Sequence, residues 1–197
     1  KTNAQGELIL ARITAGNNLI EIDDNGQQLL TDDATEQYQL AATEWDKYLK
    51  ATKNNPDPAV ALQVSNAVLN IAGGTVAQFQ SNMGTVVEAQ RYVAANAVAE
   101  SKKNGPNPAA QLTALARYEY FNQEYDAAKK TRAEALSFAE DKTTKTQITT
   151  QLDAAEKQAR QIGKQIDAAK KQAGKQKGQQ LEDPFGSLGS GSATTTP

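Results

Sequence analysis

The chain has 197 residues, 39% hydrophobic and 22% charged, with a formal net charge of −2 at pH 7. A net charge this small indicates no general affinity for nucleic acid, and without Cys or His the chain lacks thiolates, disulfides and the commonest metal ligands. We therefore expect a non-catalytic protein with no cofactor, no bound metal and no small-molecule substrate. The abundance of Ala and Gln favours helices packed through small side chains.

Residues 1–31 carry several turn signals and are predicted to form an irregular N-terminal segment. Residues 8–15 fit a short helix, and residues 19–22 fit either a short strand or an extended segment. The run Asp23-Asp24-Asn25-Gly26 lacks the alternating oxygen ligands and the distal Glu of a calcium loop, so we prefer a plain turn. Whether this segment packs on the rest of the chain is left open.

From Asp32 onward the spacing of apolar residues becomes helical, and a helix is predicted over residues 33–52. Asp32 and Asp33 are expected to cap it and to interact with its dipole, which is a simpler explanation than a catalytic carboxylate pair. The apolar positions are Tyr38, Ala41, Trp45 and Tyr48. Because these residues share one helical face, we expect them to pack inward rather than to bind a ligand.

Prolines and glycines delimit the next segments. A second helix is predicted to start at Pro58 and to end at Gly73-Gly74. The polar residues 75–84 are predicted as an insertion loop, since the glycines around them lack the Lys and Ser/Thr of a phosphate-binding loop. A third helix then covers about residues 86–103, and two more, starting at Pro108 and near Tyr125, form an antiparallel hairpin.

The last predicted helix covers residues 143–176, with an apolar stripe from Ile148 to Ala169. Its basic end includes Lys170 and Lys171. These lysines suit an anionic membrane or an acidic partner, but stabilisation of a helix C terminus explains them more simply. The Gly-, Ser- and Thr-rich residues 178–197 are predicted to be disordered.

A self-similarity at a spacing of 50 residues relates two short segments of the chain. The first is Pro56-Asp57-Pro58-Ala59-Val60-Ala61-Leu62 and the second is Pro106-Asn107-Pro108-Ala109-Ala110-Gln111-Leu112. Each follows an Asn-containing loop and opens a helix. Periods of this size are typical of solenoids built from helical hairpins.

The chain resembles the tetratricopeptide repeat (TPR) family over residues 35–140. The best copy is residues 109–140, in which Leu112, Leu115-Ala116, Tyr125, Ala128 and Ala135-Leu136 fall on the family's apolar positions. At the two positions where the family has aromatic residues, this chain departs from the pattern and has Glu119 and Arg132. A second, partial copy keeps the spacing of Tyr38, Ala41, Trp45 and Tyr48.

The resemblance implies an all-α fold, namely a short right-handed αα-hairpin solenoid over residues 32–177 with a long C-terminal capping helix. It also implies a scaffold for a protein or peptide partner. A peptide or a helix of that partner would bind on the concave surface formed by the first helices of each pair. By resemblance, the partner-binding residues are Gln63, Asn66, Asn70, Gln111, Arg117 and Glu119.

Two other functions fit the sequence. One is a self-associating structural or spacer protein of the cell envelope, and the other is an accessory subunit of a membrane-anchored complex. Since the chain begins at Lys1 rather than Met, we expect a processed product or a fragment. An Asn/Gln-rich surface and a Thr-rich tail favour a bacterial, extracytoplasmic location, reached through an upstream segment, over a cytoplasmic one.

Overall fold

The structure is a computed structural model that describes residues 2–17, 20–22, 28–73 and 75–173. Helices dominate these residues, which confirms the all-α prediction. The helices are α1 Thr2–Asn17, α2 Asp32–Ala51, α3 Pro58–Asn70, α4 Val76–Ser101, α5 Ala109–Phe121, α6 Tyr125–Phe138 and α7 Lys142–Ala173. Two short antiparallel strands, β1 Ile20–Ile22 and β2 Gln28–Leu30, lie between α1 and α2. The predicted disorder of residues 178–197 falls outside the described residues.

Consecutive helices pack in pairs: α1 on α2, α3 on α4, and α5 on α6. The first pair contacts the second because both α1 and α2 pack on α3. The second pair contacts the third because α4 packs on α5. Helix α7 packs on α5 and α6, and its buried stripe runs from Ile148 to Ala169. One hydrophobic core therefore continues through all three pairs and α7.

The N-terminal segment is not irregular as predicted, because its first part is the helix α1, which packs on α2 and α3. Ile9 and Ile13 are buried, and Gly6 and Gly16 continue their stripe in both directions. A Cβ at position 16 would lie 2.5 Å from Cε1 of Tyr38, so only glycine allows the two helices to approach this closely. Residues 19–22 were predicted as either a short strand or an extended segment, and Ile20–Ile22 form the strand β1. The predicted turn at residues 23–26 lies outside the described residues.

The predicted insertion loop at residues 75–84 is also wrong, because these residues form the N-cap and the first turns of α4. The Thr75 hydroxyl accepts a hydrogen bond from the Gln78 amide, and the Gln78 side chain accepts one from the Thr75 amide, which closes a capping box. Phe79 and Met83 are buried at helical spacing. Polar residues between them masked this apolar stripe in the sequence.

The repeat in the sequence corresponds to a repeat of loops and helix caps. Asn54 and Asn104 both adopt left-handed backbone conformations, with φ of 60° and 66°. The side chains of Asp57 and Asn107 then accept hydrogen bonds from the amides two residues later, at 2.8 Å and 2.9 Å. The connections from α2 to α3 and from α4 to α5 therefore share a left-handed asparagine and an Asp or Asn side chain that accepts a hydrogen bond at the start of the next helix.

Trp45 is fully buried, as predicted for its helical face. Its indole Nε1 donates a hydrogen bond to Glu88 of α4 at 3.0 Å, and its ring lies edge-on to Tyr92. Among the described residues, every helix is too short or too polar to serve as a membrane span.

Candidate partner-binding groove

A groove of about 770 Å³ lies between α5 and α7. Ala110, Ala114, Arg117 and Phe121 line it from α5, at successive spacings of four, three and four residues. Gln147, Gln151, Ala154 and Gln158 line it from α7 at the same spacings. Because these spacings keep residues on one face of a helix, each wall is a continuous stripe.

Helices α5 and α7, which form the two walls, run in the same direction. At one end, the side chain of Asn107, just before α5, donates a hydrogen bond at 2.8 Å to the carbonyl oxygen of Phe138, the last residue of α6, four residues before α7 begins. At the other end, the side chain of Gln123, just after α5, lies against Gly163 of α7. The helices are thus held at both ends, and the alanines between them leave the space that forms the groove.

Among the described residues that line the groove, Arg117 is the only charged one. Its guanidinium group lies 5.6 Å from the ring centroid of Phe121 and 5.9 Å from that of Tyr118. Within the described part of the chain it forms no ion pair, and its side chain is exposed. Stacking on two rings orients the guanidinium while leaving its N–H groups available to a carboxylate.

The six residues predicted to bind a partner do not form one cluster. Arg117 lies in the groove, but Gln63, Asn66 and Asn70 lie on the exposed face of α3, where the Asn70 side chain donates to the Asn66 carbonyl. Gln111 is half-buried, and its Oε1 is buried without a hydrogen-bond partner in the described residues.

Glu119 does not lie on the surface, contrary to its predicted place among the surface residues. Its side chain is 3% exposed and accepts hydrogen bonds from Thr131 of α6 at 2.7 Å and from Arg91 of α4 at 3.4 Å. Burial raises its pKa above the ordinary value, and the bonds from Thr131 and Arg91 oppose that shift. The carboxylate therefore joins three helices. Its spacing from Leu112 and Leu115 already placed it on the buried face of α5.

The α7 wall was not predicted from the sequence. Gln147, Gln151 and Gln158 are exposed, and they border the buried stripe of Ile148, Leu152 and Ala155. Glutamines recurring at helical spacing beside an apolar stripe are a signal that was available. They did not indicate a site because the neighbouring helix that completes the groove lies more than 20 residues earlier in the chain.

A smaller pocket of about 340 Å³ lies at α5, α6 and α7, lined in part by Tyr120, Arg132 and Glu156. Arg132 is paired with Asp153 at 2.6 Å, and Glu156 is paired with Arg160 at 2.6 Å. Because two of its charged groups already have partners within the chain, the α5–α7 groove is the better candidate for a binding site.

The part of the chain that the structure describes holds no group of His, Cys, Asp and Glu residues suited to a metal ion. In the comparisons with known proteins, no family model, no curated protein and no solved structure matches this chain.

Proposed function

We propose that the protein is a non-catalytic scaffold that binds a peptide or a helix of a partner protein in the α5–α7 groove. The observation that carries this proposal is the groove itself. Its described lining has small side chains at the centre, glutamines along one wall and one arginine, Arg117, which forms no ion pair with the described residues. Its volume falls within the range of clefts that bind ligands, roughly 300–1,000 Å³.

The lining suits a polypeptide better than a compact ligand. The α7 wall from Thr144 to Gln158 is about 21 Å long at a helical rise of about 1.5 Å per residue. Alanines allow a backbone to approach closely, and glutamine side chains both donate and accept hydrogen bonds, as a peptide backbone requires. A peptide carboxylate would then pair with Arg117.

We further propose that the fold is a short right-handed solenoid of TPR-like hairpins closed by α7. Three helix pairs in chain order, joined by repeated loops and followed by a long helix on the last pair, support it. In such a solenoid, Gln63, Asn66 and Asn70 of α3 would extend the binding surface beyond the groove.

The proposal is tested by blocking the groove in a full-length chain that carries a photocrosslinking residue at Gln151. Ala154→Trp places a large ring in the groove, so we expect crosslinking to a partner protein from the native organism to fall by about tenfold or more. The matched control is Ala168→Trp, an exposed alanine of the same helix outside the groove. Equal crosslinking by both variants, with circular dichroism unchanged, would contradict the groove as the partner site.

Self-association is a second candidate function, and the β1–β2 hairpin favours it. Ile20, Ile22 and Leu29 are 53%, 69% and 44% exposed, which is unusual for large apolar side chains in one small sheet. In the described residues each strand has one neighbour, so each leaves one edge open for a strand of a second copy.

Sedimentation velocity measures whether the chain self-associates and so tests this second candidate function. If the chain self-associates through the hairpin, Ile22→Lys should convert dimers to monomers, because a charge on the apolar surface is costly to bury. A chain that stays monomeric at all accessible concentrations would remove this candidate and leave the groove proposal standing.

A further inference from the structure

The residues that follow α7 contain one short segment unlike the rest. Between Gly174 and Pro197, all the large apolar residues and all the acidic residues lie within residues 181–188, Leu-Glu-Asp-Pro-Phe-Gly-Ser-Leu. The flanking stretches consist of Gly, Ser, Thr, Gln, Lys, Ala and Pro. A polar linker that ends in a compact acidic and apolar segment has the composition of a tethered peptide ligand.

We propose that residues 181–188 bind in the α5–α7 groove of their own chain, running antiparallel to α7, and that a partner protein must displace them. This inference rests on the proposed function, because it treats the groove as a peptide site. Residues 181–188 would occupy the groove in the absence of a partner, and they would regulate binding by competing with that partner.

The chain length suits this path. From Ala173 back to Gln158, the nearer end of the groove, α7 covers about 22 Å at about 1.5 Å per residue. The linker from Ala173 to Leu181 can extend by about 26 Å at about 3.3 Å per residue. Leu181 can therefore reach the level of Gln158, and residues 181–188, about 23 Å long when extended, match the wall of about 21 Å.

The order of charges along the segment also fits. Since α5 and α7 run in the same direction, Arg117 and Phe121 lie toward the end of the groove that the linker reaches first. Glu182 and Asp183 come directly after Leu181, so an antiparallel segment brings both carboxylates to Arg117. Arg117 is the only charged residue of the lining and has no acidic partner among the described residues.

The apolar residues of the segment then follow in a suitable order. Phe185 would lie over the alanine-lined centre of the groove, and Leu188 would reach the end near Thr144 and Ile148. A short linker holds such a segment at an effective concentration of about millimolar, so even a weak peptide occupies the groove most of the time.

The test uses paired cysteines, because the natural chain has none. In the antiparallel arrangement Ser187 lies near the level of Gln147, so the full-length Gln147→Cys/Ser187→Cys chain should form an intramolecular disulfide with diamide as oxidant. The matched control is Thr146→Cys/Ser187→Cys, since Thr146 is the exposed neighbour outside the groove. We expect the first pair to oxidise about tenfold faster than the control.

Charge reversal then tests the role of Arg117. Arg117→Glu should slow oxidation of the Gln147–Ser187 pair to the control rate, and adding Glu182→Lys and Asp183→Lys should restore it. Equal rates for the two cysteine pairs would overturn the inference, as would insensitivity to Arg117→Glu. Disulfides formed mainly between chains would overturn it too, because the occupant would then be the tail of a second copy.

Partner crosslinking separates this inference from the proposed function. The chain with Glu182→Lys and Asp183→Lys but native Arg117 should crosslink its partner through position 151 more strongly than the natural chain, because the groove is open. Fast disulfide formation without any partner crosslink would contradict the proposed function alone. Partner crosslinking that is unaffected by the tail substitutions, together with equal disulfide rates, would remove the tail inference alone.

Discussion

The buried carboxylate of Glu119 shows how one polar side chain can join several helices. It accepts hydrogen bonds from Thr131 and Arg91, and Arg91 also pairs with Glu124. Burial disfavours the ionised form, whereas these donors favour it, and the balance leaves the pKa raised. A group that takes up protons more readily when folded makes the protein less stable as the pH rises.

Glu119→Gln therefore has a predicted pH signature. The folded pKa of Glu119 is above that of an ordinary Glu side chain, so its contribution to stability is most favourable at acidic pH and declines as the pH rises through the folded pKa. We expect the free energy of unfolding of the natural chain, relative to Glu119→Gln, to fall as the pH rises above the ordinary pKa of a Glu side chain and through the raised folded pKa. Urea unfolding of both chains from acidic to neutral pH provides the measurement.

Asp141→Asn is the control of opposite sign. Hydrogen bonds from the Thr144 amide and hydroxyl lower the pKa of Asp141 at the start of α7. The natural chain should therefore lose stability relative to Asp141→Asn as the pH falls below the ordinary pKa of an Asp side chain and through the lowered folded pKa. A common slope for the two variants would contradict both assignments.

At the scale of the element, helices α1 and α4 show two uses of glycine inside a helix. In α1, Gly16 faces the ring of Tyr38 and allows close packing on α2, whereas a Cβ at Gly84 of α4 would meet no atom within 4 Å. A packing benefit opposes the helical cost of glycine in α1 but not in the interior of α4.

Substituting each of these glycines by alanine should change stability in opposite directions. Gly84→Ala should stabilise the protein by about 0.5–1 kcal/mol, because alanine loses less backbone freedom on folding. Gly16→Ala should destabilise it by about 1–3 kcal/mol, because the new methyl group would overlap the Tyr38 ring. Thermal unfolding followed by circular dichroism measures both. If both substitutions stabilised the chain, the close contact of α1 with α2 would be refuted.

Across the whole molecule, the repeated loops do not produce repeated packing. Leu62 and Leu112 occupy the same position after their helix caps, yet Leu62 is 41% exposed and Leu112 is 3% exposed. The neighbours differ, because α3 packs on α1, α2 and α4, whereas α5 packs on α4, α6 and α7. The caps depend on hydrogen bonds within the loop, but the buried face of each helix depends on those neighbours.

Truncating the two leucines tests this difference. Leu112→Ala should cost about 2–5 kcal/mol of unfolding free energy, since it removes a buried side chain and leaves a cavity. Leu62→Ala should cost less than about 1 kcal/mol, because most of the effect of a core truncation is absent at an exposed site. Urea unfolding midpoints of the two variants, each compared with the natural chain, measure the two losses of stability. Equal losses would mean that α3 and α5 bury equivalent faces.

The sequence by itself determined the features that depend on neighbouring residues. Prolines, asparagines and glycines indicated where α2 ends, where α3 begins and where α4 ends. Apolar spacing placed Trp45 in the core and indicated the buried stripe of α7. These features follow from hydrogen bonds and side-chain positions within one or two helical turns.

Only the tertiary structure decided the features that depend on distant residues. The stripe of α1 contains two glycines, so the sequence suggested only a short helix at residues 8–15, and the full helix became recognisable only beside the aromatic residues of α2. The partners of Glu119 lie on two other helices, and the groove requires α5 and α7, which are separated in the chain by α6. Periodicity shows which face of a helix is apolar, but it carries no information about which distant helix covers that face or where a gap between two helices remains.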